Sequence, residues 1–82
     1  NIDLKSINIY TEDKVKNLPE ELTSFGFSLK NDKCIFIGYK PSETSMGKIF
    51  NIILKNNIKI KDIVTSEPSL EDLFNNLVEY TT

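Results

Sequence analysis

The stretch Phe27-Ser28-Leu29-Lys30-Asn31-Asp32-Lys33-Cys34-Ile35-Phe36-Ile37-Gly38-Tyr39-Lys40 sets two apolar runs on either side of Asn31-Asp32. Asn and Asp tolerate the positive φ of a tight connection, so this reads as a hairpin between strands over 27–30 and 33–40. Upstream, Gly26 is the left-handed stop of a short helix ending at Phe25. Its start is given by Asn17-Leu18-Pro19-Glu20: Asn17 as N-cap, Pro19 in the first turn and Glu20 as capping-box partner. That helix buries Leu18, Leu22 and Phe25, and residues 12–16 form the turn before it. A first strand covers 2–11, with Ile7 and Ile9 alternating against Asn8 and Tyr10. Ile2 and Leu4 run in the opposite phase, which predicts a bulge near Ser6 or a strand that begins after it.

Downstream, Pro41-Ser42-Glu43 opens a second helix, with Ser42 as N-cap and Glu43 complementing the helix dipole. Met46, Ile49, Phe50, Ile53 and Leu54 have the i, i+3, i+4, i+7, i+8 spacing of one buried stripe, and Asn56-Asn57 suits a left-handed terminus. Ile58 and Ile60 alternate with Lys59 and Lys61 in a fourth strand, which continues through Ile63 and Val64 after a change of phase. A last helix opens at Ser69 and buries Leu70, Leu73, Phe74, Leu77 and Val78. The order β-α-β-β-α-β, then α, predicts an α+β, ferredoxin-like βαββαβ sandwich with an additional C-terminal helix. That arrangement serves enzymes, RNA binders, metal carriers and sensors alike, so function has to come from particular residues.

Eighty-two residues fit one small domain with a thin core, and 39% hydrophobic against 27% charged residues is a folding composition. A net charge of −2, with ten lysines and no arginine, argues against a dedicated nucleic-acid or anionic-membrane binder. No histidine and the single Cys34 exclude a disulfide framework, a zinc site of ordinary ligand count and any histidine-base mechanism. The longest apolar run is Cys34-Ile35-Phe36-Ile37, far below the ~20 residues of a membrane-spanning helix. No basic-then-apolar leader is read at the start, and the absence of an initiating Met before Asn1 is what an excised domain or a processed product would show.

Candidate chemistry is sparse. Gly26, Gly38 and Gly47 are too scattered to build a phosphate cradle, and Gly47-Lys48 falls inside a helix, where Gly47 reads as a close-packing position. The carboxylate pairs Glu20/Glu21 and Glu71/Asp72 sit in first helical turns, where the dipole favours acids without any catalysis, and Glu12-Asp13 reads as a solvated loop. Asp62 with Glu67 is a third pair of the kind that acid–base work would use. Cys34 lies in the most apolar strand and reads as a small buried hydrophobe. Phe36 and Tyr10 share the face away from Ile35 and Ile37, as the stacking aromatics of an RNA-recognition sheet do, but the basic flanks of such a module are missing. Phe36 is therefore expected to lie under the last helix. Lys55, Lys59 and Lys61 form a solvated rim that discourages edge pairing.

The run Glu67-Pro68-Ser69-Leu70-Glu71-Asp72-Leu73-Phe74, followed by Leu77 and Thr81, resembles the C-terminal signature of bacterial ABC transporter ATP-binding subunits. The branch is the drug, bacitracin, lantibiotic and sodium export group that works with ABC-2-type permeases. Ile58-Lys59-Ile60-Lys61-Asp62-Ile63 is similar to the strand that precedes the signature in that group, so the close likeness covers residues 58–82. The resemblance implies a C-terminal accessory domain, 1–82, in which those eight residues dock the tail helix. No catalytic, cofactor-binding or metal-binding residue is expected in this fragment, since ATP and Mg would be handled by the parent's upstream domain. The implied partners are that nucleotide-binding domain, a second copy of the subunit and a permease, with no nucleic acid. The implied location is cytoplasmic, at the inner face of the membrane. The alternative is a free-standing ferredoxin-like small-ligand sensor or dimerisation module, which an exposed edge strand or sheet face would allow to pair with itself.

Overall fold

Pleating sends alternate residues of a strand to opposite faces, and Ile7, Ile9, Ile35 and Ile37 all fall on the same one. The computed structural model describes residues 3–66. In it β1 (Lys5–Thr11) and β3 (Cys34–Tyr39) are antiparallel central strands, pairing Ile7 with Ile37 and Ile9 with Ile35. These four side chains are at most 2% exposed. Each contributes about 1.5–3 kcal/mol by leaving water, so the core is centred on them. The hairpin partner β2 (Ser28–Asn31) flanks β3, and β4 (Ile60–Ser66) flanks β1, giving the order β2-β3-β1-β4 with every neighbour antiparallel. β1 and β2 therefore run parallel with β3 between them, and β3 and β4 run parallel with β1 between them. Each connection of this kind needs a crossover, and each crossover carries a helix.

Those helices are α1 (Glu20–Phe25) and α2 (Met46–Lys55). Leu22 of α1 and Ile49 and Ile53 of α2 are wholly buried in one cluster with the four isoleucines, so both helices cover the same face of the sheet. Both end as expected. Gly26 at φ +124° lets the Phe27 N–H reach back to Leu22 O, and Asn57 at φ 60° lets Ile58 N–H reach Ile53 O, satisfying carbonyls the helix leaves free. Where α1 meets α2, the Glu21 carboxylate accepts from Lys55 Nζ and Asn56 Nδ2, each at 2.9 Å.

The helix starts depart from expectation. Pro19, not Asn17, precedes α1, and no side chain caps it; the Pro19 carbonyl takes the Leu22 and Thr23 N–H groups. α2 is capped by Ser45, whose Oγ accepts from Lys48 N–H at 3.2 Å, rather than by Ser42. Residues 41–43 form a separate turn in which Lys40 O takes the Glu43 and Thr44 N–H groups, and Ser42 is held by the Asp3 carboxylate. Two further positions differ. Leu54 is 59% exposed, while Ile52 packs against the core in its place, and Phe25 is 37% exposed, stacked on Phe27 with ring centroids 5.6 Å apart. The hairpin turn needs no positive φ, because Asn31 Oδ1 accepts from Lys33 N–H at 2.9 Å and closes the turn from the side. The bulge lies not near Ser6 but opposite Tyr10/Thr11, where Tyr10 pairs with Asp62 and Thr11 with Ile60. Lys61 is the extra residue, and it accounts for the change of phase between Ile60 and Ile63. The expected C-terminal helix lies outside the described residues. Among the described residues no helix is long and apolar enough to cross a membrane.

Candidate functional site

The face of the sheet away from α1 and α2 is mixed in chemistry, and strand register orders it into three rows. Gly38, Ser6 and Ser66 form the first row, Phe36, Asn8 and Val64 the second, and Cys34, Tyr10 and Asp62 the third. The first row is small, and Ser6 Oγ lies 2.7 Å from Ser66 Oγ across the β1–β4 pair. The second row is the most apolar. Phe36 is half-buried, with Lys30 Nζ 4.7 Å from its ring centroid, close enough for a cation–π contact. Val64 beside it is 45% exposed, and Tyr10 in the third row 38%. These aliphatic and aromatic groups are too exposed for a finished core and too clustered for a random surface.

Cys34 also points to this face and is buried, its thiol directed at Asn8 Oδ1 at 3.8 Å. An amide oxygen accepts a thiol hydrogen but is no base, so the contact holds the thiol without activating it. Among the described residues no group of three or more His, Cys, Asp or Glu side chains gathers.

A second feature sits at the bulge. Tyr10, Thr11, Glu12, Lys33, Lys61 and Asp62 line an open pocket of ≈ 330 Å³ at the edge of the third row. Bulges re-aim side chains, and this one turns Lys61 and Asp62 toward the pocket mouth. Asp62 is partly committed, its Oδ1 accepting from Ile63 N–H at 2.8 Å, and Thr11 Oγ1 donates to Asp13 O at 2.7 Å. Charges of both signs around the mouth suit a small zwitterion better than a phosphate, which would want cations alone.

The residues singled out from sequence scatter over the molecule. Glu67, Pro68, Ser69, Leu70, Glu71, Asp72, Leu73 and Phe74 all lie outside the described residues. Glu21 belongs to the clip between helices: the Asn56 amide, then the Lys55 ammonium, hold its carboxyl below the usual glutamate range. Gly47 is exposed, and a Cβ there would meet only Ser45 Oγ at 3.9 Å, so it is not a close-packing position. Tyr10 and Phe36 do share one face, as their parity requires. The bulge pocket was missed, although its signal was present in the phase break between Ile60 and Ile63. Compared with protein-family models, curated proteins and solved structures, the chain finds no match.

Proposed function

We propose that these residues act as a non-catalytic accessory domain of a bacterial ABC transporter ATP-binding subunit, in the drug, bacitracin or sodium export group served by ABC-2-type permeases. The observation that carries this reading is the eight-residue run from Glu67 to Phe74, with Leu77 and Thr81 behind it. The strand order β2-β3-β1-β4, with both crossover helices on one face, supports the finer assignment of a ferredoxin-like sandwich for the part before that run. The role is assembly or regulation of the ATPase at the cytoplasmic face of the membrane, through the nucleotide-binding domain, a second subunit copy and the permease.

The natural reading frame tests it. A frame that runs upstream from Asn1 into a Gly-rich phosphate loop followed by Lys and Ser or Thr supports the assignment; a frame that starts within a few residues of Asn1 overturns it. The second reading, a free-standing small-ligand sensor, draws on the pocket of ≈ 330 Å³ beside the bulge. A thermal-shift screen of amino acids and other small zwitterions measures it, since a ligand that binds only the folded chain raises its melting temperature.

A further inference from the structure

We propose that the end of the sheet beneath the start of α2 binds a phosphate group, held by Lys5, Tyr39, Thr65 and the first N–H groups of that helix. The proposal holds whether or not the parent is a transporter.

The site follows from strand register. Lys5 pairs with Tyr39 and Ile7 with Thr65, so all three residues take the helix-side parity of Ile7 and Ile37. They stand at the end of the sheet where Met46 opens α2 and packs against the core. With Met46 and Ser66 they line an open pocket of ≈ 200 Å³. Sites for drug-sized ligands run to about 300–1,000 Å³, so this pocket fits an ion or a single terminal group.

Two independent features point to an anion. One is Tyr39, which is only 9% exposed, yet whose hydroxyl meets no hydrogen-bond partner among the described residues. No sealed polar side-chain atom there lacks a partner, so the hydroxyl is the part of Tyr39 that reaches the pocket. A buried tyrosine normally spends its O–H on a partner, and here the pocket stands in the partner's place. The other feature is α2, since a helix leaves its first N–H groups without intrahelical acceptors. Ser45 Oγ takes the Lys48 N–H and Ser45 O takes that of Ile49, which leaves those of Met46, a lining residue, and Gly47. The first turn carries no acid, so the positive end of the helix dipole is uncompensated.

Charge completes the set. No carboxylate lines the pocket, and Lys5 forms no ion pair among the described residues. Asp3, two residues away in sequence, is engaged by Ser42, and Glu43 lies near Lys40. Lys5 and the helix end together supply roughly +1.5 charges, against about −1.5 to −2 on a phosphate group near pH 7. A carboxylate carries a single charge and leaves more of these donors unused. The bulge pocket, with Glu12 and Asp62 at its mouth, repels the same group.

Titration of the isotope-labelled full chain with inorganic phosphate, at constant ionic strength, tests the proposal. The Met46 and Gly47 amide signals and the Tyr39 ring signals should move saturably, while those of Lys33, Lys61 and Asp62 stay. Tyr39→Phe removes only the hydroxyl and should weaken binding about tenfold. Lys5→Gln should weaken it about threefold, and Lys16→Gln, in the loop before α1, should leave it unchanged. Shifts that never saturate, or that are confined to the bulge residues, overturn the proposal. So does an affinity that Lys5→Gln leaves untouched or that Lys16→Gln lowers equally. Unchanged affinity in a Tyr39→Phe chain whose Ile7 and Ile37 methyls are native also overturns it. Should Tyr39→Phe disturb those methyls, the comparison of the two lysine variants decides alone. Acetate that binds as tightly as phosphate overturns it in favour of a carboxylate ligand.

Discussion

Ile9 and Tyr10 are neighbours on β1 and face opposite ways, and their surroundings share almost nothing. Ile9 is wholly buried, paired with Ile35 on one side and Ile63 on the other, under a helix layer that contributes Leu22, Ile49 and Ile53. Tyr10 is 38% exposed, between Cys34 and Asp62, with an open pocket at its edge. The helix-side face is mainly apolar, with Phe27 and Tyr39 beside the isoleucines, because it must exclude water from two helices at once, and any polar atom buried there would need a partner. The other face mixes Ser, Asn, Cys, Phe, Tyr, Asp and Val, and its hydrogen bonds run between neighbouring strands: Ser6 to Ser66, Cys34 to Asn8. One face specifies the fold; the other leaves room for specificity.

Truncation should separate the two faces most sharply. Ile9→Ala leaves a cavity under the helices and should cost about 2–5 kcal/mol, a large part of the ~5–15 kcal/mol that holds a domain folded. Val64→Ala, at a side chain 45% exposed, should cost about 1 kcal/mol or less. Urea unfolding of the two variants measures both. Equal costs would mean that the faces are not energetically distinct.

The next contrast lies within the helix layer and concerns backbone rather than packing. Gly26 sits at φ +124°, where a side chain is strained whatever space is available, so Gly26→Ala should destabilise by about 1–2 kcal/mol. Gly47 is an exposed helical position with ordinary clearance, so Gly47→Ala should stabilise by about 0.5–1 kcal/mol. At this chain length 1 kcal/mol moves the melting temperature by about 4–8 °C, so thermal scans should shift in opposite directions. A fall for both variants would show that α2 needs the flexibility of Gly47.

What the sequence disclosed follows the same division. The period-2 alternation of Ile7/Ile9 and Ile35/Ile37 survives into the structure because the pleat allows no other arrangement for a buried face. Gly26 and Asn57 were readable as stops because few residues adopt positive φ. The start of α2 was not. Ser42 and Ser45 are equally good caps by type, and the choice between them follows from an Asp3 contact 39 residues away and from the turn closed by Lys40 O. Leu54 was misassigned because it lies roughly 120° around the helix from the centre of the stripe that Ile49 and Ile53 define, although its i+8 spacing from Met46 fits the pattern of a buried stripe. On the mixed face, parity alone placed Phe36 with Tyr10; the bulge at Lys61 was signalled by the phase break between Ile60 and Ile63, but the pocket beside it also needs Lys33, which only strand pairing brings there.

The smallest expected effect tests whether the helix layer is held by anything besides apolar contact. Glu21 joins α1 to the end of α2, and the Asn56 amide first, then Lys55, keep its carboxyl below the usual value of 4.5. The unfolded chain therefore takes up this proton more readily than the folded one just below pH 4.5, and the stabilising contribution is complete above that value. It is lost as pH falls through the lower, folded value. Glu21→Gln removes the titration, so wild type should be the more stable at about pH 7 and the gap should narrow as pH falls below 4.5. Salt divides what remains. Both side chains of the ion pair are well exposed, so about 0.5 M salt should screen the Lys55 share, while the Asn56 hydrogen bond, donated by a neutral amide, should persist. Urea unfolding across that pH range, at low and high salt, measures both shares. A gap that does not change with pH would mean that the charge on Glu21 adds nothing to the fastening of α1 to α2, which apolar contacts such as those of Leu22, Ile49 and Ile53 then carry.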